Sequence, residues 1–494
     1  MFRLPTPPGA SSPPSPFEGD LVDSQQEFEL LSAACERLEG TSWHHEMLTA
    51  PLLTRDAFVI ARNQDVGMQY GVLGETLTIW YGICIHVLYP ILTKLSPETP
   101  TLYGDRRLYL NTNTPFSAVV CGVQGSGKSH TVACMLECMF IANFSPIGSL
   151  QKPLCGLVLH LGEGGPHSRP SEAAWLAASS RKDVQPPAVK VFVSPSSLRT
   201  MRAVYAAVDS KIVVEPLLLD EEELDAHAFL GMMSVSTSEV PPLYVQTMLS
   251  ILRDLGEDYT YAKFQDSLNA KKTKWNPAQL SGLEQRLALL ESFLAKKVFS
   301  KKSQSSKNPR FAPGQITIVD LSDPFIDAGS ACGLFEIITR LFVRANVDTG
   351  KVLVVDEAHK YLVNNDSAAG LTGTLLELTR EQRHLAMRVI ISTQEPTVIP
   401  PTLLDLCTVA IMHRFSSPAW WKALSVHVRA DISSDSAFDK VTGEALAFAA
   451  TGLATFQAEN LTTHPALESL GRRYMVIKTR RRVTKDGGAS ILVV

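Results

Sequence analysis

A glycine-rich loop contains the first residues whose types and spacing can do chemistry. The segment Gly122–Ser129 reads Gly-Val-Gln-Gly-Ser-Gly-Lys-Ser and matches the phosphate-binding pattern GxxxxGK[ST]. Glycines let such a loop bend so tightly that successive backbone N–H groups point at phosphate oxygens. Lys128 would reach the β- and γ-phosphates, and the Ser129 hydroxyl would bind magnesium. The sequence therefore predicts ATP and Mg²⁺ as ligands, with the nucleotide held by Gly122, Val123, Gln124, Gly125, Ser126, Gly127, Lys128, Ser129 and His130.

A pair of acids supplies the second half of this predicted site. Asp356 and Glu357 follow four apolar residues, Val352–Val355, that read as a buried strand. Asp356 would hold the magnesium directly or through water, and Glu357 would polarise the attacking water as a general base or an orienting acceptor. Acids also end strands simply to meet solvent. The glycine-rich loop upstream favours the catalytic interpretation.

A polar strand end is the third element. The apolar run Val389–Ile391 leads into Ser-Thr-Gln-Glu-Pro, residues 392–396. A glutamine at the tip of this strand, Gln394, would sense the γ-phosphate and help to orient the water. The alternative is a plain turn before Pro396. Together the three elements predict a catalytic set of Lys128, Glu357, Gln394 and, from the resemblance described below, Arg383.

The elements that must position these residues read as an α/β layered fold. A strand, Ser117–Cys121, runs straight into the loop, and a helix begins near Lys128, so its positive dipole end faces the phosphates. Buried parallel strands read as continuous apolar runs, and their alternation with helical segments indicates an α/β fold. The further runs are Leu157–Leu161, Val189–Val193, Ile212–Leu219, Ile316–Leu321, Val352–Val355 and Val389–Ile391.

One long segment, residues 221–313, interrupts the alternation of strands and helices. It is predicted to be a helical insertion with a basic loop. A helix is expected over Pro241–Gly256, and the capping-box pattern Ser281–Glu284 predicts the start of a second. The stretch from Lys296 to Arg310 is basic, without an acid. The predicted organisation is a Pro-rich disordered tail (1–20), an N-terminal region (21–105), the first part of an ATPase core (106–220), the insertion (221–313), the second part of the core (314–420) and a C-terminal region with a basic tail (421–494).

Composition limits the classes of partner. The formal net charge is −4, so a nucleic-acid contact would need a local basic surface, such as the insertion loop or the basic C-terminus. The eight cysteines show no zinc-site spacing, and Cys134 and Cys138 read as small buried residues on a helix. The uncharged stretch Leu77–Leu92 is shorter than the roughly 20 residues that a membrane span needs. We therefore expect an intracellular protein without a membrane partner, in the nucleus or the cytoplasm.

The motifs resemble those of the HerA/FtsK group of ring-forming ATPases, and HerA-like proteins most closely. The stretch Arg380–Met387 reads Arg-Glu-Gln-Arg-His-Leu-Ala-Met and leads without a gap into the strand that ends at Gln394. HerA-like proteins carry Arg-Glu-Gly-Arg-Lys at the same distance before a strand ending in Ser-Gln or Thr-Gln. Glu357–His359 looks like their Glu-Ala-His. Ile316–Ser322 and Met412–Phe415 are similar to two further strands of the family.

The resemblance covers about 105–220 and 314–420. It implies a RecA-like P-loop core of the additional-strand catalytic-glutamate class, assembled as a hexameric ring that acts on DNA or serves secretion. It also implies an arginine that completes a neighbour's site, with Arg383 as the first candidate and Arg380 as the second; the alternative is a surface arginine paired with an acid. Gln382 and Glu395 depart from the family pattern, and residues 1–105 show no counterpart of its N-terminal β-barrel.

Three functions other than a DNA motor differ in how well the sequence motifs support them. A DEAH-box helicase is suggested by Asp356–His359, but those proteins place their acids far closer to the glycine loop. A GTPase would need an NKxD guanine-reading motif, which the sequence lacks. A nucleotide-gated scaffold or protein-remodelling ATPase fits the near-neutral charge. Stimulation of hydrolysis by DNA would separate this last class from a DNA motor.

Overall fold

The computed structural model describes residues 42–63, 69–81, 105–224, 243–272, 277–295, 309–362, 369–415, 417–427, 443–456 and 466–488. The chain divides into two compact units, residues 1–48 and 49–494. Helix α1, Ser42–Thr49, covers the described residues of the first unit. The predicted tail (1–20) and most of the basic insertion loop lie outside the described residues, as does the second half of the stretch Leu77–Leu92.

The second unit alternates strands and helices, as the sequence predicts. Its strands are β1 (Leu52–Thr54), β2 (Tyr70–Tyr81), β3 (Arg107–Asn111), β4 (Ser117–Cys121), β5 (Gly148–Ser149), β6 (Cys155–His160), β7 (Ala188–Val193), β8 (Val213–Pro216), β9 (Gln315–Asp320), β10 (Lys351–Val355), β11 (Met387–Thr393), β12 (Val409–Met412), β13 (Glu444–Phe448), β14 (Leu453–Phe456), β15 (Ala466–Ser469) and β16 (Arg473–Thr479). Its helices are α2 (Arg55–Asn63), α3 (Lys128–Phe140), α4 (Leu198–Ala206), α5 (Leu243–Leu255), α6 (Tyr261–Lys272), α7 (Pro277–Ser292), α8 (Ala328–Arg344), α9 (Ala369–Glu381), α10 (Pro401–Leu406) and α11 (Pro418–His427).

The strands form one mixed sheet in the order β15-β14-β1-β3-β2-β16-β13-β12-β4-β11-β10-β6-β9-β7-β8, with β5 on β2. The half from β12 to β8 is parallel throughout. Strand β11 lies between the strand that leads into the glycine-rich loop, β4, and the strand that precedes the acids, β10. The predicted fold class, an α/β core with a mainly parallel central sheet flanked by helices, is confirmed.

Both faces of the parallel half are buried, which is why its strands read as continuous apolar runs. Successive side chains of a strand point to opposite faces. Accordingly Leu353 and Val355 of β10 lie in one hydrophobic core, and Val352 and Val354 lie in the other. The ends of the parallel strands that follow these runs all meet at one edge of the sheet, and this edge carries the predicted site.

The insertion is helical, as predicted, but the start of its last helix differs from the prediction. Helix α7 begins at Pro277, so Ser281 lies inside the helix rather than at its N-terminus. Proline is favoured in the first turn of a helix, and this signal prevailed over the capping-box pattern. The helices of the insertion contribute Phe264, Leu290 and other buried side chains to the same core as one face of the sheet. The insertion is therefore packed onto the α/β core.

Strands from both ends of the second unit extend the sheet. β16 pairs antiparallel with β2 and β13, and β1 and β3 continue the sheet beyond β2. The first residues of the stretch Leu77–Leu92 therefore belong to strand β2. Within the described ranges, no helix is long and apolar enough to cross a membrane.

Candidate nucleotide and magnesium site

The glycine-rich loop needs glycine at positions where a side chain has no room. Gly122 has a φ of 150°, and a Cβ there would lie 2.8 Å from both Ser126 Oγ and His413 Cβ. Gly127 has a φ of 111° and immediately precedes α3. Both conformations lie in the region that residues with a Cβ rarely adopt. The loop therefore folds as the phosphate-binding pattern requires, between β4 and α3.

Lys128 lies inside the curve of this loop. The residue is 5% exposed, and Nζ donates a hydrogen bond to the carbonyl of Val123 at 3.0 Å. Burial lowers the pKa of Lys128, and the carboxylates of Glu357 and Asp356 oppose that shift. The loop follows β4 and the acids follow β10, which are both neighbours of β11 in the parallel sheet. The structure brings together the two halves of the site that the sequence predicts separately.

The loop rests on a histidine that the sequence analysis did not single out. His413, which follows β12, is 1% exposed and forms a 3.0 Å hydrogen bond between Nε2 and Thr131 Oγ1. Thr131 in turn bonds Thr479 Oγ1 at 2.9 Å. Burial, with the nearby charge of Lys128, lowers the pKa of His413 to about 4. His413 is therefore a neutral packing partner of the loop at physiological pH.

The two acids emerge together at the end of β10. Asp356 Oδ1 accepts the backbone N–H of Glu357 at 3.0 Å, and Asp356 Oδ2 lies 3.3 Å from His160 Nδ1. Although burial opposes the shift, the hydrogen bond and charge of His160 hold the pKa of Asp356 below its usual value. Glu357 has a φ of 50°, a strained conformation for a residue other than glycine. The carboxylate of Asp356 is thus kept ionised.

Gln394 and His359 hold the side chain of Glu357. Gln394 Nε2 donates to Glu357 Oε2 at 2.8 Å, and His359 Nε2 lies 3.3 Å from the same oxygen. The backbone N–H of Gln394 donates to His359 Nδ1 at 3.4 Å, so the proton of the neutral ring lies on Nε2. Burial lowers the pKa of His359, while the charge of Glu357 opposes the shift. The predicted glutamine therefore contacts the predicted catalytic acid.

Arg383 lies far from this site within the same chain. It is exposed on the turn 382–386, which precedes β11, whereas Gln394 follows the other end of β11. Seven strand residues at about 3.3 Å each separate the two ends by roughly 20 Å. The buried Arg388 fixes this turn by donating to the carbonyls of Ala386 at 2.7 Å and Thr112 at 2.8 Å. Arg383 thus cannot reach the acids of its own chain.

The C-terminal segment, residues 472–488, packs along α3. Several of its basic residues form ion pairs within the chain. Arg480 Nη1 lies 2.6 Å from Glu137 Oε2, and the Glu137 side chain is fully buried. Arg473 pairs with Glu468, and Arg482 lies near Glu172 and Asp486. These three arginines therefore contribute less to a basic surface than the sequence suggests. Exposed basic residues of the segment are Arg472, Lys478, Arg481 and Lys485.

His130, the last residue of the predicted nucleotide set, faces this segment. Its Nε2 lies 2.7 Å from the carbonyl oxygen of Arg480, and Nδ1 lies 3.9 Å from Asp486 Oδ2. The ring is thus engaged outside the curve of the loop, which leaves the backbone N–H of His130 as the group that can contribute to phosphate binding. Cys134 and Cys138 on the same helix are buried free thiols, as the sequence predicts.

The oxygen ligands that magnesium prefers are present at the two halves of the site. The hydroxyl of Ser129 belongs to the first turn of α3, and the carboxylate of Asp356 follows β10. Magnesium binds through one or two such protein oxygens together with waters and substrate phosphates. In the part of the chain that the structure describes, no group of three or more His, Cys, Asp or Glu side chains is placed to hold a metal ion. Ser129 and Asp356 fit a magnesium that arrives with a nucleotide.

No model of a known protein family matches the sequence, and no curated protein matches it. Several solved structures have a similar fold. VirB4 of Thermoanaerobacter pseudethanolicus matches with a TM-score of 0.43 and 12% identity, over 75% of this chain and 91% of that chain. The bacterial conjugative coupling protein TrwBdeltaN70 matches with a TM-score of 0.37 and 11% identity, over 76% and 87%. The genome packaging NTPase B204 from Sulfolobus turreted icosahedral virus 2, in complex with AMPPCP, matches with a TM-score of 0.28 and 10% identity, over 68% and 92%.

Proposed function

We propose that this protein is a magnesium-dependent ATPase of the HerA/FtsK type. The observation that carries the proposal is the convergence of three strand ends. Lys128 follows β4, Glu357 follows β10, and Gln394 follows the strand between them and donates to Glu357 at 2.8 Å. A cation for the phosphates, an acid for the water and an amide between them are the groups that phosphoryl transfer to water needs.

Each residue has a separate task in the proposed reaction. The loop N–H groups and Lys128 bind the phosphates, and Ser129 and Asp356 would hold the magnesium, which neutralises charge on the phosphate oxygens when bound. Glu357 accepts a proton from the attacking water. Gln394 keeps the acid oriented until the γ-phosphate competes for its amide. His359, which also contacts Glu357, limits the movement of that carboxylate.

Substitution of Glu357 by glutamine tests the assignment of the catalytic acid. The amide keeps the shape of the side chain but cannot accept the proton of the water. We expect Glu357→Gln to bind ATP normally and to hydrolyse it at least about 100-fold more slowly. The measurements are nucleotide titration and steady-state phosphate release. Turnover near that of the wild type would mean that another carboxylate activates the water.

An oligomer is part of the proposal because Arg383 cannot reach its own site. An exposed guanidinium on a turn fixed by Arg388 is suited to a neighbouring subunit's γ-phosphate, where an arginine is worth roughly 10³-fold or more in other NTPases. Arg383→Ala and Glu357→Gln would then damage different halves of a shared site. Mixing the two inactive variants should restore activity above the sum of the separate proteins. Normal hydrolysis by Arg383→Ala in a monomeric protein would exclude this mechanism.

We also propose that the protein is a ring motor with DNA as its substrate. Binding of DNA would need a basic surface outside the nucleotide site. Arg480 and Arg482 are taken up by internal acids, which favours the basic loop of the insertion over the C-terminal segment as the contact. Hydrolysis should be measured with and without double- and single-stranded DNA. Stimulation would support a DNA motor. An unchanged rate would favour the alternative, a nucleotide-gated scaffold or protein-remodelling ATPase.

A further inference from the structure

His160 is held next to the magnesium acid by the order of the sheet. It is the last residue of β6, which pairs in parallel with β10, so that Leu159 lies opposite Val355. The backbone N–H of Asp356 donates to the carbonyl of Leu159 at 3.1 Å and continues this pairing by one residue. Asp356 and His160 therefore leave adjacent strands at the same level.

The side chain of His160 completes the hydrogen bonding of the Asp356 carboxylate. Oδ1 of Asp356 accepts the N–H of Glu357 at 3.0 Å, and Oδ2 lies 3.3 Å from His160 Nδ1. Both side chains are largely buried, with 11% of the histidine and 13% of the aspartate exposed. With each oxygen held by one N–H group, the carboxylate has a fixed rotamer. The remaining lone pairs are oriented before any metal binds.

The strand on the other side of β6 carries a second buried carboxylate. In the pairing of β6 with β9, His160 lies opposite Asp320, which is fully buried. Asp320 accepts hydrogen bonds from Ser322 Oγ and Tyr205 Oη, both at 2.5 Å. His160 thus ends a strand that is flanked on both sides by strands carrying buried carboxylates, and three strand ends rather than a loop set its backbone position.

We propose that His160 is a positioning residue for magnesium, acting through the hydrogen bond from its Nδ1–H to Asp356. The inference rests on the proposed function, because it assigns the metal to Asp356. Groups that orient a metal-binding carboxylate typically change metal affinity by about 10- to 100-fold when they are removed. Loss of this bond lets the Asp356 side chain rotate and weakens the metal without altering the phosphate cradle.

The test separates metal binding from nucleotide binding. A fluorescent, non-hydrolysable ATP analogue is bound in EDTA and then titrated with MgCl₂, and the magnesium midpoint is read from the gain in affinity. His160→Leu removes the donor and should raise this midpoint about 10-fold or more. His160→Asn places an amide N–H close to the position of Nδ1 and should keep the midpoint near that of the wild type. The affinity in EDTA should be the same in all of these proteins.

A second histidine provides the matched control. His427 Nδ1 lies 2.6 Å from Asp405 Oδ1, at the end of α11 and away from the acids of β10. His427→Leu also removes a histidine from a carboxylate and should leave the magnesium midpoint unchanged. The proposal is overturned if His160→Leu has the wild-type midpoint, if His160→Asn is as impaired as His160→Leu, or if His427→Leu raises the midpoint equally. Failure of the wild-type protein to bind the analogue would instead refute the proposed function.

Discussion

Removal of one partner of the ion pair between Glu137 and Arg480 should be one of the most destabilising single substitutions in the α/β core. Glu137 lies on α3, the helix that follows the glycine-rich loop, and is fully buried. Its Oε2 lies 2.6 Å from Arg480 Nη1. Its Oε1 accepts the backbone N–H groups of Val483 and Thr484 at 3.0 and 2.9 Å and the Thr484 hydroxyl at 2.6 Å. One carboxylate thus attaches the C-terminal segment to the helix.

The loss of stability expected for Glu137→Ala follows from the buried charge of Arg480, which the substitution leaves without its partner. Removing one member of a buried ion pair costs about 3–5 kcal/mol, because the other charge stays buried without its partner. The Arg480 side chain is only 14% exposed, so solvent would compensate the lost acid only in part. Glu137→Gln keeps an acceptor for the two backbone N–H groups and should cost about 2 kcal/mol. The double variant Glu137→Ala/Arg480→Ala should cost less than the sum of its single variants.

The free energy of unfolding is measured by urea denaturation, with tryptophan fluorescence as the signal. Gly487 packs against the indole of Trp175, where an added Cβ would lie 1.8 Å from Nε1, so detachment of the segment changes the surroundings of that tryptophan. Arg481→Ala, which removes an exposed arginine next in sequence, is the control and should change stability by less than about 0.5 kcal/mol. A Glu137→Ala variant within about 1 kcal/mol of the wild type would refute the reasoning.

Two further predictions concern the loop itself. Lys128→Ala should abolish tight nucleotide binding, because it removes the positive charge from a preformed phosphate cradle; an unchanged ATP affinity in a titration would reject the assignment. His413 should make the protein less stable in acid. Its folded pKa of about 4 lies below the unfolded value, so the unfolded chain binds more protons as the pH falls through 6.5, and the free energy of unfolding drops by about 2 kcal/mol between pH 7 and pH 5. Urea midpoints at both pH values should show this difference in the wild type and a smaller one in His413→Gln.

The sequence predicts those parts of the fold whose physical signal is local. Strand β4 and helix α3 begin where the sequence analysis places them, because the glycine-rich pattern has meaning only between a strand and a helix. The parallel strands are buried on both faces and read as uninterrupted apolar runs. Their ends differ from the predicted ends by at most three residues. For example, the predicted run Ile212–Leu219 contains the shorter strand Val213–Pro216.

Contacts between distant parts of the chain could not be predicted in the same way. His160 and Asp356 are 196 residues apart, and Glu137 and Arg480 are 343 apart. A weak signal did exist, since a histidine ends the otherwise apolar β6 and a glutamate interrupts the apolar helix α3. Each of these residues had to find a partner inside the protein, because an unpaired buried charge is costly. The sequence indicates that need but does not identify the partner.

The surface charge of the C-terminal segment could not be predicted from the sequence either. A run of basic residues in a sequence predicts a positive surface only if its side chains face solvent. Here Arg480 turns to Glu137 and Arg482 turns to Glu172, while Arg481 between them is exposed. Glu137 lies on α3 and Glu172 lies in the segment Glu172–Ala177, so the two arginines meet acids on different elements. Only the remaining residues can act on a partner.

The order of the strands finally accounts for the partners of Asp356 and Glu357. β10 lies between β11 and β6. From the β6 side His160 reaches Asp356, and from the β11 side Gln394 reaches Glu357. β10 ends at Val355 and Glu357 has a φ of 50°, so the two acids lie beyond the strand, and their side chains have partners on different neighbouring strands. A parallel sheet with β11 beside β10 thus gives Asp356 and Glu357 separate partners, and substitution of one partner should leave the other acid in place.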